Sequence, residues 1–293
     1  MLKRLSSFFR HNVLGNFGHT SSNENDHNFY VSLGCIIKDE NEYLEEWIKY
    51  HLKIGVGHFY IYDNGSRVRI QTTIKAIGLS RYVTVISMPG KARQIKAYAH
   101  CINKFGQQSR WIGFIDTDEF IVPKTTAGNL PAFLKDYENY GGLGINWVMF
   151  GSAGHLKRTN RPQLESFTMR AEDSFDVHRH IKSIVQPQYV DKVLGAHSFA
   201  YKAGKYVVNE NFTRIEGSFS DTSIEKIQLN HYYCRSLEEY EAKVQRGYGD
   251  TRKKRKLDEF YRHDNESNKL EELIILDILR AGDTEDQANP DRK

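Results

Sequence analysis

Residues 111–120 read WIGFIDTDEF, an apolar run that ends in Asp116, Thr117, Asp118 and Glu119. Clustered carboxylates repel one another, and at the edge of a core they need a compensating cation. The pattern Asp116-x-Asp118 suits a hard divalent ion, Mn²⁺ or Mg²⁺. Such ions prefer carboxylate oxygen and complete their shell with water or phosphate. A solvated acidic turn is the plain alternative. The apolar residues before the pair, and Phe120, Ile121 and Val122 after it, weigh against that. His231, in LNHYYCRS, offers an imidazole. A lone histidine is more often structural than a ligand. Beside Arg235 and just ahead of a helix, it is a candidate third metal ligand or phosphate contact. His155 and His197 are weaker candidates of the same kind.

Further polar groups close other apolar runs. In YDNGS, Asp63 and Asn64 precede Gly65; Asp63 suits a base N–H donor, and the glycine allows a sharp turn. An ordinary Asn-Gly turn is the competing reading. Lys38, and GKARQIK over residues 90–96, supply cations suited to phosphate; a solvated helix start explains them equally well.

These groups need elements to hold them. YVSLGCII (30–37), FYIY within 55–66, RYVTVISM (81–88) and RWIGFI (110–115) read as strands. Between them, Leu44, Trp47, Ile48, His51 and Leu52 fall at helical spacing, and a second helix is expected over 93–104. Asp39 and Glu42 have the spacing of a capping box for the first helix. The alternation predicts an α/β fold with a parallel sheet and crossover helices. In such sheets ligands gather at the carboxyl ends of strands, where KDEN, YDNGS and DTDE all fall. Downstream, 143–155 reads as a strand leaving into a Gly/Ser loop. LNHYYCRS leads into a helix over 236–247 closed by Gly247. RKKRK (252–256) is a basic run, 268–280 a last helix, and 283–293 an irregular tail.

The composition is compatible with one large domain. The chain has 293 residues and a net charge of +4, too weak to argue for nucleic acid. Three widely spaced cysteines, Cys35, Cys101 and Cys234, suggest neither a disulfide framework nor a zinc motif, and fit a reducing compartment. No stretch is long and apolar enough for a transmembrane helix. Residues 1–17 are basic with scattered apolar positions: a frayed tail, or a short segment for peripheral membrane contact.

CIIKDENEYLEEWIKYHLKIGVGHFYIYDNGS, WIGFIDTDEFIVP, NWVMFGSAGH, IKSIVQP and NHYYCRSLEEYEAKVQRG occur in this order. Together they resemble glycosyltransferase family 92 and the related bacterial family-2-like enzymes. The resemblance covers about residues 30–250. It leaves 1–29 as an N-terminal segment and 251–293 as a basic, helical extension with a tail. It implies a GT-A fold, a Rossmann-like mixed sheet flanked by helices. It also implies inverting transfer of a sugar from a nucleotide-sugar donor, with Mn²⁺ or Mg²⁺, to a glycan or lipid-linked glycan acceptor. Carried over position by position, Asp116, Asp118 and His231 bind the metal. Lys38, Glu40, Asp63, Asn64, Arg93, Gln94, Tyr98 and Asp116 face the donor, and Lys182 neutralises the leaving diphosphate. Trp147, Phe150, Gly151, Ser152 and His155 fall on the acceptor side. The general base is open among His155, Glu172, Asp173 and Glu119. Plant and animal members carry an N-terminal membrane anchor. None is visible here, so the expectation is a cytoplasmic enzyme of cell-surface polysaccharide synthesis, with contact at the inner face of the plasma membrane as an added option. Two other classes compete: an inactive GT-A module that binds nucleotide-sugar or glycan, and a haloacid dehalogenase-type phosphatase with Asp116 as nucleophile.

Overall fold

The computed structural model describes residues 27–246 and 255–287. The candidate membrane segment at 1–17, Gly247 and part of the basic run lie outside them.

The first half alternates as expected. In chain order it comprises β1 (Phe29–Ile37), α1 (Leu44–Lys53), β2 (His58–Asp63), α2 (Ile70–Ala76), β3 (Val83–Ser87), α3 (Gln94–Phe105), β4 (Ser109–Phe114), β5 (Glu119–Pro123), α4 (Leu130–Leu134) and β6 (Gly142–Met149). The second half holds α5 (Gln163–Ser166), β7 (Met169–Arg170), β8 (Ile181–Val185), β9 (Val190–Val193), β10 (Phe199–Tyr201), β11 (Val207–Val208), β12 (Ile227–His231), α6 (Leu237–Arg246), α7 (Leu257–Glu266), β13 (Leu270–Glu271) and α8 (Ile274–Gln287).

The main sheet runs β3-β2-β1-β4-β8-β6-β12-β5, with β11 beside β6. The first four strands are parallel. β8 is antiparallel to both β4 and β6, and β5 is antiparallel to β12. The architecture is the expected mixed α/β sheet flanked by helices. The chain moves outward from β1 to β2 and β3, then returns to place β4 on the other side of β1. That reversal is a topological switch point, and the crevice it opens lies beyond the carboxyl ends of β1 and β4.

Both faces of the parallel half are buried. Leu33, Cys35 and Ile37 of β1 and Phe59 and Ile61 of β2 join one apolar cluster with Trp47 and Ile48 of α1. Tyr60, Tyr62, Ile112 and Phe114 join a second with Ala97, Tyr98 and Cys101 of α3. Alternate residues therefore serve opposite layers, which is why these strands read as continuous apolar runs. α1 also covers the edge strand β5. Trp47 Nε1 donates to Glu119 O (2.9 Å), Tyr50 OH donates to Ile121 O (2.7 Å), and the Ile121 amide donates to His51 Nε2 (3.4 Å). The seam locks the start of β5, and with it the segment that carries the paired acids.

Several local expectations change. Asp39 and Glu42 form no capping box: α1 starts at Tyr43 without a side-chain cap. Asp39 instead accepts the Arg67 amide (2.8 Å) and ties the loop after β1 to the one after β2. The last helix begins at Ile274, not 268, because Leu270–Glu271 pair with β7 as a short strand. That helix also continues through part of the stretch expected to be irregular, to Gln287. α7 lies directly after the basic run. Ile275, Leu276 and Leu279 of α8 belong to the main core, so the C-terminal segment is built into the body. All three cysteines are buried and free.

Candidate functional site

β4 ends at Phe114, and the chain crosses the carboxyl edge of the sheet to begin β5 at Glu119. Asp116 and Asp118 lie on this crossing. The register of β12 on β5 sets His231 opposite Glu119, and its register on β6 sets it opposite Met149. The Tyr232 amide donates to Asp118 O at 2.8 Å. The imidazole thus reaches the paired acids from a strand more than a hundred residues away in sequence.

Each acid holds a lysine. Lys182 Nζ, from β8, lies 2.7 Å from Asp116 Oδ2 and 3.4 Å from Glu119 Oε2. Glu119 Oε2 also accepts the Asp116 amide at 2.7 Å. Lys243 Nζ, from α6, lies 2.6 Å from Asp118 Oδ2 and donates to Tyr233 O at 2.8 Å. His231 Nε2 is 3.8 Å from Asp118 Oδ1. Burial alone would raise the Asp118 pKa. Lys243, with Arg235, reverses that and holds it well below the usual carboxylate range. Burial keeps His231 neutral against the pull of Asp118. For Glu119, burial together with Asp116 and Asp118 pushes the carboxyl up, with Lys182 opposing.

An ionised Asp118 and a neutral His231 are in the protonation states that bind metal, and two carboxylates with an imidazole make a donor set for Mn²⁺ or Mg²⁺. Buried His231 Nδ1 also has no hydrogen-bond partner among the described residues. The residues therefore fit a divalent ion in type. They are not converged on one: among the described residues no three His, Cys, Asp or Glu side chains are grouped to hold a metal. The physical reason is that Asp116 and Asp118 are held by different lysines.

The donor-side candidates gather around the same edge. Gln94 Nε2, in the first turn of α3, donates to Tyr98 OH (2.9 Å) and Asp116 Oδ1 (3.3 Å). Lys38 is exposed on the loop after β1. Asp63 and Asn64 stand at the end of β2, but both Asp63 oxygens already accept main-chain amides, from Ser66 (2.8 Å) and Ile70 (3.2 Å). Asn64 Oδ1 is buried and has no partner among the described residues. Arg93 folds back onto Pro89 O at 3.2 Å. Glu40 is buried and bound to Arg235 Nη1 at 2.8 Å, so its role is to hold Arg235. Lys182 is likewise enclosed, on Asp116 and Glu119.

The residues expected on the acceptor side are mostly engaged within the protein. Phe150 is fully buried and packs on Tyr232 at 4.8 Å; it is a core residue. Trp147 stacks on His180 at 4.8 Å and 16°, with His231 at 4.4 Å. Imidazoles therefore crowd the ring that a sugar would need. Ser152 donates through its amide and hydroxyl to Asp264 (2.6 and 2.9 Å), fastening the loop after β6 to α7. Gly151 meets Ser267 and Asn268 so closely that a Cβ would lie 2.4 Å from Asn268 Oδ1; its smallness serves packing. Among the base candidates, Glu119 is wholly enclosed. Glu172 and Asp173 are exposed, Asp173 on Arg170 at 2.6 Å. His155 is half-buried, its ring edge-on to Phe167.

Two residues escaped sequence reasoning as site members. Arg235, with φ of 50°, bonds Glu40, Gln163 Oε1 (2.7 Å) and Thr117 O (3.4 Å), and its guanidinium lies 3.5 Å from the Tyr43 ring centre. A non-glycine residue in the left-handed region costs roughly 1–3 kcal/mol, and such strain gathers at functional loops. Its position next to the histidine strand was the available signal. Lys243 reads as the solvated face of a helix, and nothing local marks it.

The family model for glycosyltransferase family 92 matches residues 27–273. A family 92 protein of rice, Oryza sativa subsp. japonica, is 33% identical over 182 residues, covering 59% of this chain and 30% of that protein. One from Ricinus communis is 29% identical over 223 residues, covering 72% and 36%. The chain thus spans about a third of the length of the curated relatives it matches. Among solved structures, Staphylococcus aureus TarS 1–349 aligns at 13% identity and a TM-score of 0.37, covering 55% of this chain and 48% of that one. Mycobacterium tuberculosis glucosyl-3-phosphoglycerate synthase, solved with Mn²⁺ and uridine diphosphate, aligns at 14% and 0.32, covering 55% and 58%. Structural likeness this weak adds nothing to the assignment, which the family match over most of the chain supplies. The chain belongs to glycosyltransferase family 92.

Proposed function

We propose that the chain transfers a sugar, with inversion, from a nucleotide-diphosphate sugar to a glycan or glycolipid acceptor in cell-surface polysaccharide synthesis, using Mn²⁺ or Mg²⁺. One observation supports the reading: at the carboxyl edge of β4, Gln94 bonds Asp116 at 3.3 Å and His231 stands 3.8 Å from Asp118. Asp116, Asp118 and His231 would hold the metal, whose charge offsets the diphosphate. Lys38, Asn64 and Arg93 border the nucleotide. Gln94 and Tyr98 orient Asp116, and Lys182 keeps Asp116 and Glu119 together without repulsion. Arg235 fixes Thr117 between the two acids. The base that takes the acceptor proton is drawn from His155, Glu172 and Asp173, the candidates open to solvent.

A thermal-shift panel of nucleotide-sugars with Mn²⁺ tests the donor, because the true donor raises the midpoint by mass action. With that donor, Asp118→Asn is expected to lower turnover by about 10²-fold or more while keeping the circular dichroism of the wild type. Full turnover in that variant removes Asp118 from the site. The anomeric configuration of the product, read by NMR, checks inversion. Donor binding with no transfer across an acceptor panel would instead make the chain a binding module. No helix among the described residues is long and apolar enough to cross a membrane.

A further inference from the structure

The acids of the Asp-x-Asp pair are held by lysines on elements that pack in different clusters. Lys182 sits on β8 in the middle of the main sheet and bonds both Asp116 and Glu119. Lys243 sits on α6, whose apolar contacts form a separate cluster: Tyr240 and Cys234 pack with Phe260, and Leu237, Val244 and Leu257 flank them. That cluster is distinct from the main core. An element with its own small core can shift at lower cost than a central strand.

The surroundings of the Lys243 ammonium are those of a hard cation. It is 5% exposed and bonded to a carboxylate oxygen at 2.6 Å and a carbonyl oxygen at 2.8 Å. His231 Nε2 stands 3.8 Å from the other oxygen of the same carboxylate. A divalent cation would need that carboxylate, and two cations crowded on one carboxylate repel strongly in a buried setting.

We propose that Lys243 is a built-in competitor of the divalent cation. It holds Asp118 in the ligand-free protein and has to leave Asp118 before a cation binds, so that cation binding and the placement of α6 are coupled. The coupling is reciprocal: whatever draws Lys243 from Asp118 tightens cation binding, and the cation loosens α6. Lys243 is thus a positioning residue for Asp118. This rests on the metal-dependent reading above.

Electron paramagnetic resonance of free Mn²⁺ measures the competition without turnover. In nucleotide-free protein, Lys243→Met and Lys243→Gln are expected to bind Mn²⁺ about 10-fold more tightly than the wild type, and Asp118→Asn to lose the site. If both lysine variants bind Mn²⁺ no better than the wild type while Asp118→Asn abolishes binding, the competition is refuted and the metal site stands. If Asp118→Asn binds Mn²⁺ like the wild type, the metal assignment and this proposal fall together. A second measurement needs no variant. Lysine acylation of the wild type, read by mass spectrometry, is expected to label Lys243 several-fold faster with saturating Mg²⁺ than without. Unchanged labelling at Mg²⁺ saturation overturns the proposal even where the variants do not fold.

Discussion

Lys182 is the residue on which the local electrostatics turn. Its neighbours Asp116 and Glu119 push its pKa up against the cost of burial, so it carries charge in a place where an unpaired charge is expensive. Lys182→Met leaves Glu119 enclosed beside Asp116 without the ammonium that bridges them. Breaking such a buried pair costs about 3–5 kcal/mol, and chemical denaturation should show a loss of that order. The double variant Lys182→Met, Glu119→Gln should recover part of it, because the second substitution leaves one ionisable carboxyl, Asp116, in place of two. If the two losses simply add, the ammonium and Glu119 are not coupled. Resemblance alone put Lys182 on the leaving diphosphate. The structure places it against protein acids, because β8 lies beside β4 in the sheet, an adjacency no local pattern states.

At the scale of elements, the switch point depends on two glycines. Leu33 of β1 pairs with Gly113 of β4, and Gly34 pairs with Phe114. Large and small residues alternate across the pair, so each large side chain lies over its neighbour's bare backbone. A Cβ at Gly113 would come within 2.8 Å of Leu33 and 3.3 Å of Ile184. Gly113→Ala is therefore expected to destabilise by about 1–3 kcal/mol through overpacking; a thermal midpoint equal to the wild type would contradict this packing. α6 starts in a capping box: the Ser236 amide donates to Glu239 Oε2 at 3.2 Å, and the Glu239 amide donates to Ser236 Oγ at 3.4 Å. Ser236→Ala should cost about 1 kcal/mol in a urea melt. The strands β1, β2, β3, β4 and β6 and the helices α1, α3 and α6 were legible in the sequence, because each buries a face set by its own spacing; β5, β8 and β12 of the same sheet were not. The start of α8 was not, since pairing of Leu270–Glu271 with β7 overrides a helical pattern that is locally sound.

For the whole molecule, buried histidines dominate the response to acid. Burial lowers the pKa of His51 and His197 to about 3, and of His58, His178 and His263 to about 4. His51 has a structural reason to stay neutral, since one nitrogen faces Trp47 O (2.8 Å) and the other accepts the Ile121 amide (3.4 Å). The folded chain refuses protons that the unfolded chain accepts below about pH 6.5. The stability these groups contribute is therefore complete at neutral pH and is lost as pH falls from about 6.5 toward 4, at up to ~1.4 kcal/mol per pH unit for each. Burial acts in the opposite sense on Glu119 and Glu239, raised to about 8 and about 7, and raises Glu46 as well. Those carboxyls offset part of the effect without outnumbering the histidines. The thermal midpoint should drop steeply between pH 6.5 and 5, and His51→Gln should flatten the slope by about one proton. A midpoint constant across that range would show that these imidazoles are solvated.

The amino-acid sequence by itself determined the α/β class and the family, because helical spacing, apolar runs and ordered motifs are local properties. It also marked Asp116, Asp118 and His231 as one chemical set. Tertiary structure alone decided what those side chains touch. Strand order brought Lys182 under Asp116, the satellite packing of α6 and α7 brought Lys243 onto Asp118, and the layer assignment sent Phe150 into the core. These are outcomes of pairing between distant segments, and the free energy that selects them belongs to the assembled sheet rather than to any stretch of chain.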